Sequence, residues 1–417
     1  MFKQFSNAQF SRDAQWITTA TGVLAISFLG LQSLLKVLYV LRLGYGLEYL
    51  GIFSATGAIA YMAMSLPSGA AGSYFGTRRA MFAGGVITMI SIAITPLVEY
   101  LPTGLGLIWP LAAQVLLSSG WALFNVNLVP ALMATTTPQN RSSAYALNSV
   151  LRGFGGFVGT LAGGLLPSLF VYLWGYNLAT PAPYRLGLWV AAGLALFALI
   201  PLLLVEETPR LTTATQSQAN VAFPVWFIGL LIFHVYFAQI GIAVCQTFCN
   251  AYMDTDLHLS PAVIGVITGA GQFAAMLAPL LAPRLTARYG NAWLLTMTTV
   301  GSVISLLPLV FVGHWLSVGI GGLGITALNA MWMPVLQVYQ MELVHARWRS
   351  LAYGIISMAM SCTFASAGFF GGHIAARWGY QNLFLLSLGL CGLGVLMMWI
   401  INRWNQVLVK TPVLSGD

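Results

Sequence analysis

Runs of about twenty apolar residues, unbroken by any charge, recur along this chain, and Leu186–Val205 and Leu383–Ile401 are two of them. As a helix, a run of that length crosses the hydrocarbon core of a bilayer. In hydrocarbon every backbone amide must find its partner within the fold, which leaves helices and closed barrels. Barrel strands alternate apolar and polar residues over about ten positions, and these runs do not alternate. Composition agrees, because 58% of the 417 residues are hydrophobic and 6% are charged, against about 25% charged in a typical soluble domain. The expected fold class is an all-α integral membrane protein.

Apolar runs punctuated by Gly, Pro and charge place twelve spans at 17–41, 48–67, 79–97, 105–133, 142–172, 186–205, 223–250, 260–282, 291–312, 316–341, 350–375 and 381–402. The longest connection, EETPRLTTATQSQAN at Glu206–Asn220, is polar and has no apolar period. It divides the chain into an N-terminal six-helix half at 1–205, a linker at 206–222 and a C-terminal six-helix half at 223–417. The stretch Met1–Gln15 is polar, and the run after it is too long for a signal-peptide core, so it is expected to be retained as the first span.

An even number of spans puts both termini on one side. That side carries twelve basic residues (Lys3, Arg12, Arg78, Arg79, Arg141, Arg210, Arg284, Arg288, Arg347, Arg349, Arg403, Lys410), and the other carries three (Arg42, Arg185, Arg377). The positive-inside rule then makes the terminal side cytoplasmic and the protein multi-pass in the plasma or inner membrane. The net charge of +8 is read as this orientation signal, not as a nucleic-acid surface. Cys245, Cys249, Cys362 and Cys391 lie in apolar runs without zinc-site spacing, so neither metal nor cofactor is expected.

The halves resemble each other. Arg141-Ser-Ser-Ala-Tyr145 opens the fifth span and Arg349-Ser-Leu-Ala-Tyr353 the eleventh, 208 residues later, and the same offset pairs Gly163-Gly164 with Gly371-Gly372. An offset of 214 pairs Gly51 with Gly265, Gly57 with Gly271 and Gly76 with Gly290. Two six-span halves related as parallel repeats are the arrangement of major facilitators, with the substrate site at midplane between the halves. The loop after the second span, Gly69-Ala-Ala-Gly-Ser73-Tyr-Phe-Gly76-Thr-Arg78-Arg79, resembles the signature loop of the major facilitator superfamily, with Ser73 where that family usually has an acid. Gly155-x-x-x-Gly159-Thr160-x-x-Gly163-Gly164 is similar to the glycine motif of the antiporter branch, with Thr160 replacing its proline. The basic residue of that branch in the fourth span is absent, since Leu116 holds the position. The resemblance implies a gating loop formed by Gly69, Ser73, Gly76, Arg78 and Arg79 with Arg141 and Arg349.

Ionisable groups inside a membrane mark function by default. Arg152 lies eleven residues after Arg141, about 16 Å along a helix, and so near the midplane. At ~100° per residue Asn148, Arg152, Gly156, Gly159 and Gly163 share a face, expected to point toward the other half. Arg152 is read as a substrate contact or as a cation bonded to backbone or amide groups. Lys36, one turn after Gln32, either snorkels to headgroups or enters the pathway, and its counterpart in the repeat is Asn250. His234 suits proton coupling or a bond to a neighbouring helix. Gln239, Gln246 and Asn250 fall within ~60° of one another on an ideal helix. All nine acids occupy loops, termini or span ends, so no buried carboxylate offers a proton site.

These features imply a secondary transporter of a small organic solute, amphipathic or anionic, with export favoured over uptake. It is expected to act as a monomer in membrane lipid. The alternative is a transporter-like assembly or scaffolding factor for a pigment- or lipid-bearing membrane complex, which would need a protein partner. No nucleophile, base or P-loop constellation appears in the spans, which argues against an enzyme or an ATP-driven pump.

Overall fold

The computed structural model describes residues 10–137, 140–206, 225–344 and 348–410. These residues hold twelve long helices and no strand. They are α1 (Arg12–Arg42), α2 (Leu47–Phe75), α3 (Thr77–Tyr100), α4 (Ile108–Ala134), α5 (Arg141–Trp174), α6 (Ala182–Leu203), α7 (Val225–Thr255), α8 (Pro261–Tyr289), α9 (Asn291–Phe311) and α10 (Trp315–Leu343), followed by α11 and α12. The last two share one run, Arg349–Lys410, and part at Gly379, whose φ of 81° and ψ of 166° are not helical. The two spans thus join with almost no loop. Several helices outrun their apolar cores, since α1 begins at Arg12 and α8 continues through a 3-10 turn, Ala278–Leu281, to Tyr289. The linker expected at 206–222 lies outside the described residues except for Glu206.

The repeat is legible in backbone geometry. Gly76 ends α2 with φ 97° and ψ 145°, and Gly290 ends α8 with φ 85° and ψ 160°. An L side chain is strained at such angles and glycine is not, so the two glycines carry the same turn into α3 and α9. Packing repeats as well. Helix α3 packs on α4 as α9 does on α10, and α2 packs on α4 as α8 does on α10. Within one half α1 packs on α5; within the other, Tyr236 Oη of α7 donates to Ser366 Oγ of α11 at 2.9 Å.

Two helix crossings join the halves, and the repeat interchanges them. In one, Gly51 of α2 meets Gly368 and Gly372 of α11. In the other, Gly265 of α8 meets Gly164 of α5. Adding 214 to 51 gives 265, and subtracting 208 from 372 gives 164, so the two contacts are images of each other. The first crossing continues down to Met62 and Cys362, whose sulfurs are 3.8 Å apart, and the second to Gly153 and Met276. Small residues let backbones approach where lipid offers no hydrophobic drive for association. Both crossings start at the end opposite the chain termini, called the far end below.

Helices α1 and α7 form the interior, with 67% and 61% of their apolar windows buried, the highest among the spans. Each contains a stretch of wide π-helical turns, Ala25–Gln32 in α1 and Cys245–Cys249 in α7. Such bulges redirect side chains and cluster at functional sites.

Candidate functional site

Between Gln239 and Asp254 every residue of α7 is buried except Gln246. A helix covered by protein along this whole stretch exposes one side chain only where it borders a space between helices. Gln246 therefore borders a space left between helices. On α1, residues Leu34, Leu35 and Val37 through Val40 are buried, whereas Ser33 and Lys36 are partly accessible. Gln32 is 4% exposed and its Oε1 has no hydrogen-bond partner. Gln32 and Gln246 are related by the offset of 214, so the repeat puts a glutamine in the irregular stretch of each interior helix.

Lys36 does not sit as a freely exposed headgroup anchor. It is partly buried, with its ammonium 5.9 Å from the centre of the Phe53 ring of α2. Asn250, its repeat counterpart, is 9% exposed and its Oδ1 accepts from Thr268 Oγ1 of α8 at 2.9 Å.

Arg152 of α5 sits nearer the terminal end. Its Nη1 donates to Asn125 Oδ1 of α4 at 3.0 Å, and Asn125 Nδ2 reaches Tyr61 Oη of α2 at 3.0 Å. The guanidinium lies 5.2 Å from the centre of the Trp121 ring, which stacks on Phe28 of α1 at 4.2 Å. Trp121, 8% exposed, thus faces neither lipid nor open space. Among the described residues Arg152 makes no ion pair. Asn148, one turn before it, is 7% exposed with Oδ1 unpartnered.

The single glycine face expected on α5 is divided. Gly155, Gly159 and Gly163 lie against α1 of the same half, while Gly153 and Gly164 lie against α8 of the other, and Gly156 touches both. Close packing on two neighbours needs small residues on two sides. The polar face expected on α7 is also split. Gln239 interrupts helical bonding between Val225–Ala238 and Ile240–Val244, and the wide turns follow, so a uniform ~100° rotation does not hold. Gln239 is 3% exposed and borders a small cavity with Thr299, Ser302, Asn329 and Trp332 of the same half. His234 is fully buried inside the C-terminal half, where its Nδ1 lies 2.9 Å from the Gly394 carbonyl oxygen of α12.

The expected loop is largely helical: Ser73 lies in the last turn of α2, exposed, with its Oγ donating to the Ala70 carbonyl at 2.8 Å. Gly69 and Arg79 are also exposed. Arg78 donates from Nε to the Leu202 carbonyl at 3.1 Å and from Nη2 to the Leu203 carbonyl at 2.7 Å, capping the last turn of α6. Arg141 and Arg349 begin α5 and α11, and their side chains lie outside the described residues.

One pair escaped the sequence reading. Arg42 at the end of α1 grips Asp254 at the end of α7 with two hydrogen bonds of 2.6 Å, and its Nε donates to the Leu178 carbonyl at 2.9 Å. The Asp254 side chain is 3% exposed. This is a bidentate pair across the two halves, at the far end, in the same layer as the glycine crossings. The signal was present, because the two residues end spans that the repeat equates.

Residues 232–412 match the sequence profile of the Major Facilitator Superfamily. Solved structures agree over nearly the whole chain. A D-xylose-proton symporter aligns with a TM-score of 0.75 at 17% identity, covering 93% of this chain and 97% of that one. The C-terminal part of the chain thus carries the sequence signature of that superfamily, and the chain as a whole shares the fold of these transporters. The chain also matches a point mutant of the nucleoside transporter NupG with a TM-score of 0.72 at 13% identity, over 93% and 99% of the two chains. The inward-open xylose transporter XylE from E. coli gives a TM-score of 0.72 at 18% identity, over 92% and 94%. The search of curated proteins found no match to this sequence.

Proposed function

We propose that this protein is a major facilitator throughout, a secondary carrier that moves a small organic solute by alternating access, with its terminal end cytoplasmic. The observation that carries the reading is the pair of interchangeable crossings, α2 on α11 and α5 on α8, which close the far end together with Arg42–Asp254. Two halves joined by symmetry-related contacts can rock about them, sealing one end as the other opens. The state seen here is accordingly read as closed at the far end, and one similar solved structure is an inward-open xylose transporter. The basic residues tallied on the terminal side support the orientation.

Within this reading the solute is anionic or amphipathic, because Arg152 and Lys36 are intramembrane cations without an ion pair among the described residues. Export is the proposed direction, supported by the glycine pattern of α5 that resembles antiporters. The test is reconstitution of the purified protein into liposomes, with flux measured in both directions for organic anions, lipophilic cations and neutral solutes. Saturable flux above protein-free liposomes is the expected result. No flux for any class, with a stoichiometric membrane-protein complex recovered instead, would replace this reading by the assembly-factor one.

A further inference from the structure

Every arginine described at the far end has a carboxylate partner, and the one lysine there does not. Arg42 holds both oxygens of Asp254. Arg185 meets Glu99 at 2.6 Å, and Glu99 also accepts from Tyr39 Oη at 2.9 Å. Arg377 lies 3.8 Å from Glu48. Asp256, the remaining acid near this layer, is exposed and takes a hydrogen bond from Thr255 at 3.3 Å. Lys36 is left with a ring face at 5.9 Å and, among the described residues, neither an ion pair nor a hydrogen-bond acceptor.

Its place in the fold is specific. Arg42–Asp254 brings the ends of α1 and α7 together, and Lys36 lies six residues back from Arg42, about 9 Å along the helix. Asn250 lies four residues back from Asp254, about 6 Å. Both therefore stand just beneath the closed far end, one on each half. The Thr268 hydroxyl occupies Asn250 Oδ1, which leaves the amide N–H groups of Asn250 to donate. An ammonium and an amide donor beneath a sealed roof suit an oxyanion. One turn away, the buried and unpartnered Gln32 Oε1 can accept from a hydroxyl on the same ligand. Arg152 contrasts with Lys36, since its guanidinium already has Asn125 and the Trp121 ring.

We infer that Lys36 is the receptor for the oxyanion group of the transported solute, and that its uncompensated charge obliges the carrier to exchange one organic anion for another. While the central space is wet, water solvates the ammonium. When the halves rock and both ends close, that water is lost, and an unpaired ammonium in a low-dielectric interior is strongly disfavoured. A carboxylate or phosphate ester against Lys36 removes the penalty. The empty carrier then stalls where the loaded one crosses. The inference rests on the transport reading and adds the ligand class and the coupling mode.

The experiment uses the full chain in two assays, with lactate, benzoate, glycerol phosphate and inorganic phosphate as probes and glucose as the neutral control. The first is ligand-induced thermal stabilisation in detergent, comparing wild type with Lys36→Gln and Lys36→Arg. At least one anion should stabilise wild type and Lys36→Arg, with apparent Kd raised 10-fold or more in Lys36→Gln. The second is counterflow in liposomes, where internal anion should accelerate uptake of the same labelled anion about 100-fold in wild type. Lys36→Gln should lose that acceleration, and Lys36→Arg should keep it. The inference is overturned if no probe anion stabilises wild type, if Lys36→Gln binds as wild type does, or if it retains the acceleration. Anion binding that needs Lys36 without flux in any variant would refute the carrier reading and the exchange step while leaving the oxyanion site standing.

Discussion

A methyl group added to Gly265 tests whether the paired crossings set which end of the carrier is closed. At Gly265 a Cβ would lie 2.7 Å from Gly164 Cα and 3.0 Å from the Thr160 carbonyl oxygen. Favourable carbon contacts begin at ~3.5 Å, so α5 and α8 must part by about 0.8 Å. Both obstacles are backbone, and no rotamer change relieves them. Overpacking of this kind costs about 1–3 kcal/mol, and it applies only while the crossing is closed. At one decade per ~1.4 kcal/mol, the ratio of far-end-open to far-end-closed protein should rise about 5- to 140-fold. Gly51→Ala should act alike, because its Cβ would strike the Gly368 carbonyl oxygen in the symmetry-related crossing. The assay is electron–electron resonance between spin labels at Ala179, in the α5–α6 turn, and Gly313, in the α9–α10 turn, in a background where the exposed Cys362 is serine. Gly229→Ala is the control, since nothing lies within 4 Å of its added Cβ. Unchanged distance distributions in both Gly265→Ala and Gly51→Ala, or an equal shift in the control, would refute the assignment of the crossings as the far-end seal.

Asp254→Asn should also favour the far-end-open state, because removing one partner of a largely buried pair costs about 3–5 kcal/mol; the doubly swapped Arg42→Asp, Asp254→Arg protein should recover much of the wild-type distance distribution. Gly379→Ala should lower thermal stability by about 1–3 kcal/mol, since its backbone lies in a region nearly reserved for glycine, with the melting midpoint in detergent as the measure. His234→Leu should lose about 0.5–1.5 kcal/mol by removing the hydrogen bond to the Gly394 carbonyl, whereas counterflow per folded molecule should change less than 3-fold; a larger loss would give His234 a part in transport. Trp121→Ala should cost about 3–5 kcal/mol and make Arg152 accessible to arginine-selective reagents, which an unchanged modification rate would contradict.

The spans were legible because hydropathy over twenty residues reports a property of the whole window, and errors at single residues average out. The repeat was legible through glycines, and Gly76 and Gly290 show why, since each holds a backbone angle that few other residues tolerate. Side-chain direction was not legible inside α7. The interruption at Gln239 and the wide turns at Cys245–Cys249 rotate later residues by an amount that no ideal period contains. On α5 the glycine positions were visible, but a residue type that permits close approach does not say which neighbour approaches. The Arg42–Asp254 pair joins residues 212 apart, and charge at two span ends does not by itself specify a partner.

Arg78 has a mechanical consequence. Its guanidinium fastens the carbonyls of Leu202 and Leu203, at the last turn of α6, to the start of α3. The chain leaves the N-terminal half from that turn on its way to the C-terminal half. Tension on the connecting segment is therefore delivered to a clamped point, as a cable is held by a strain relief, and spreads into α3 before it can unwind α6. In the rocking motion proposed above, the clamp would spare the helix from which the tether hangs.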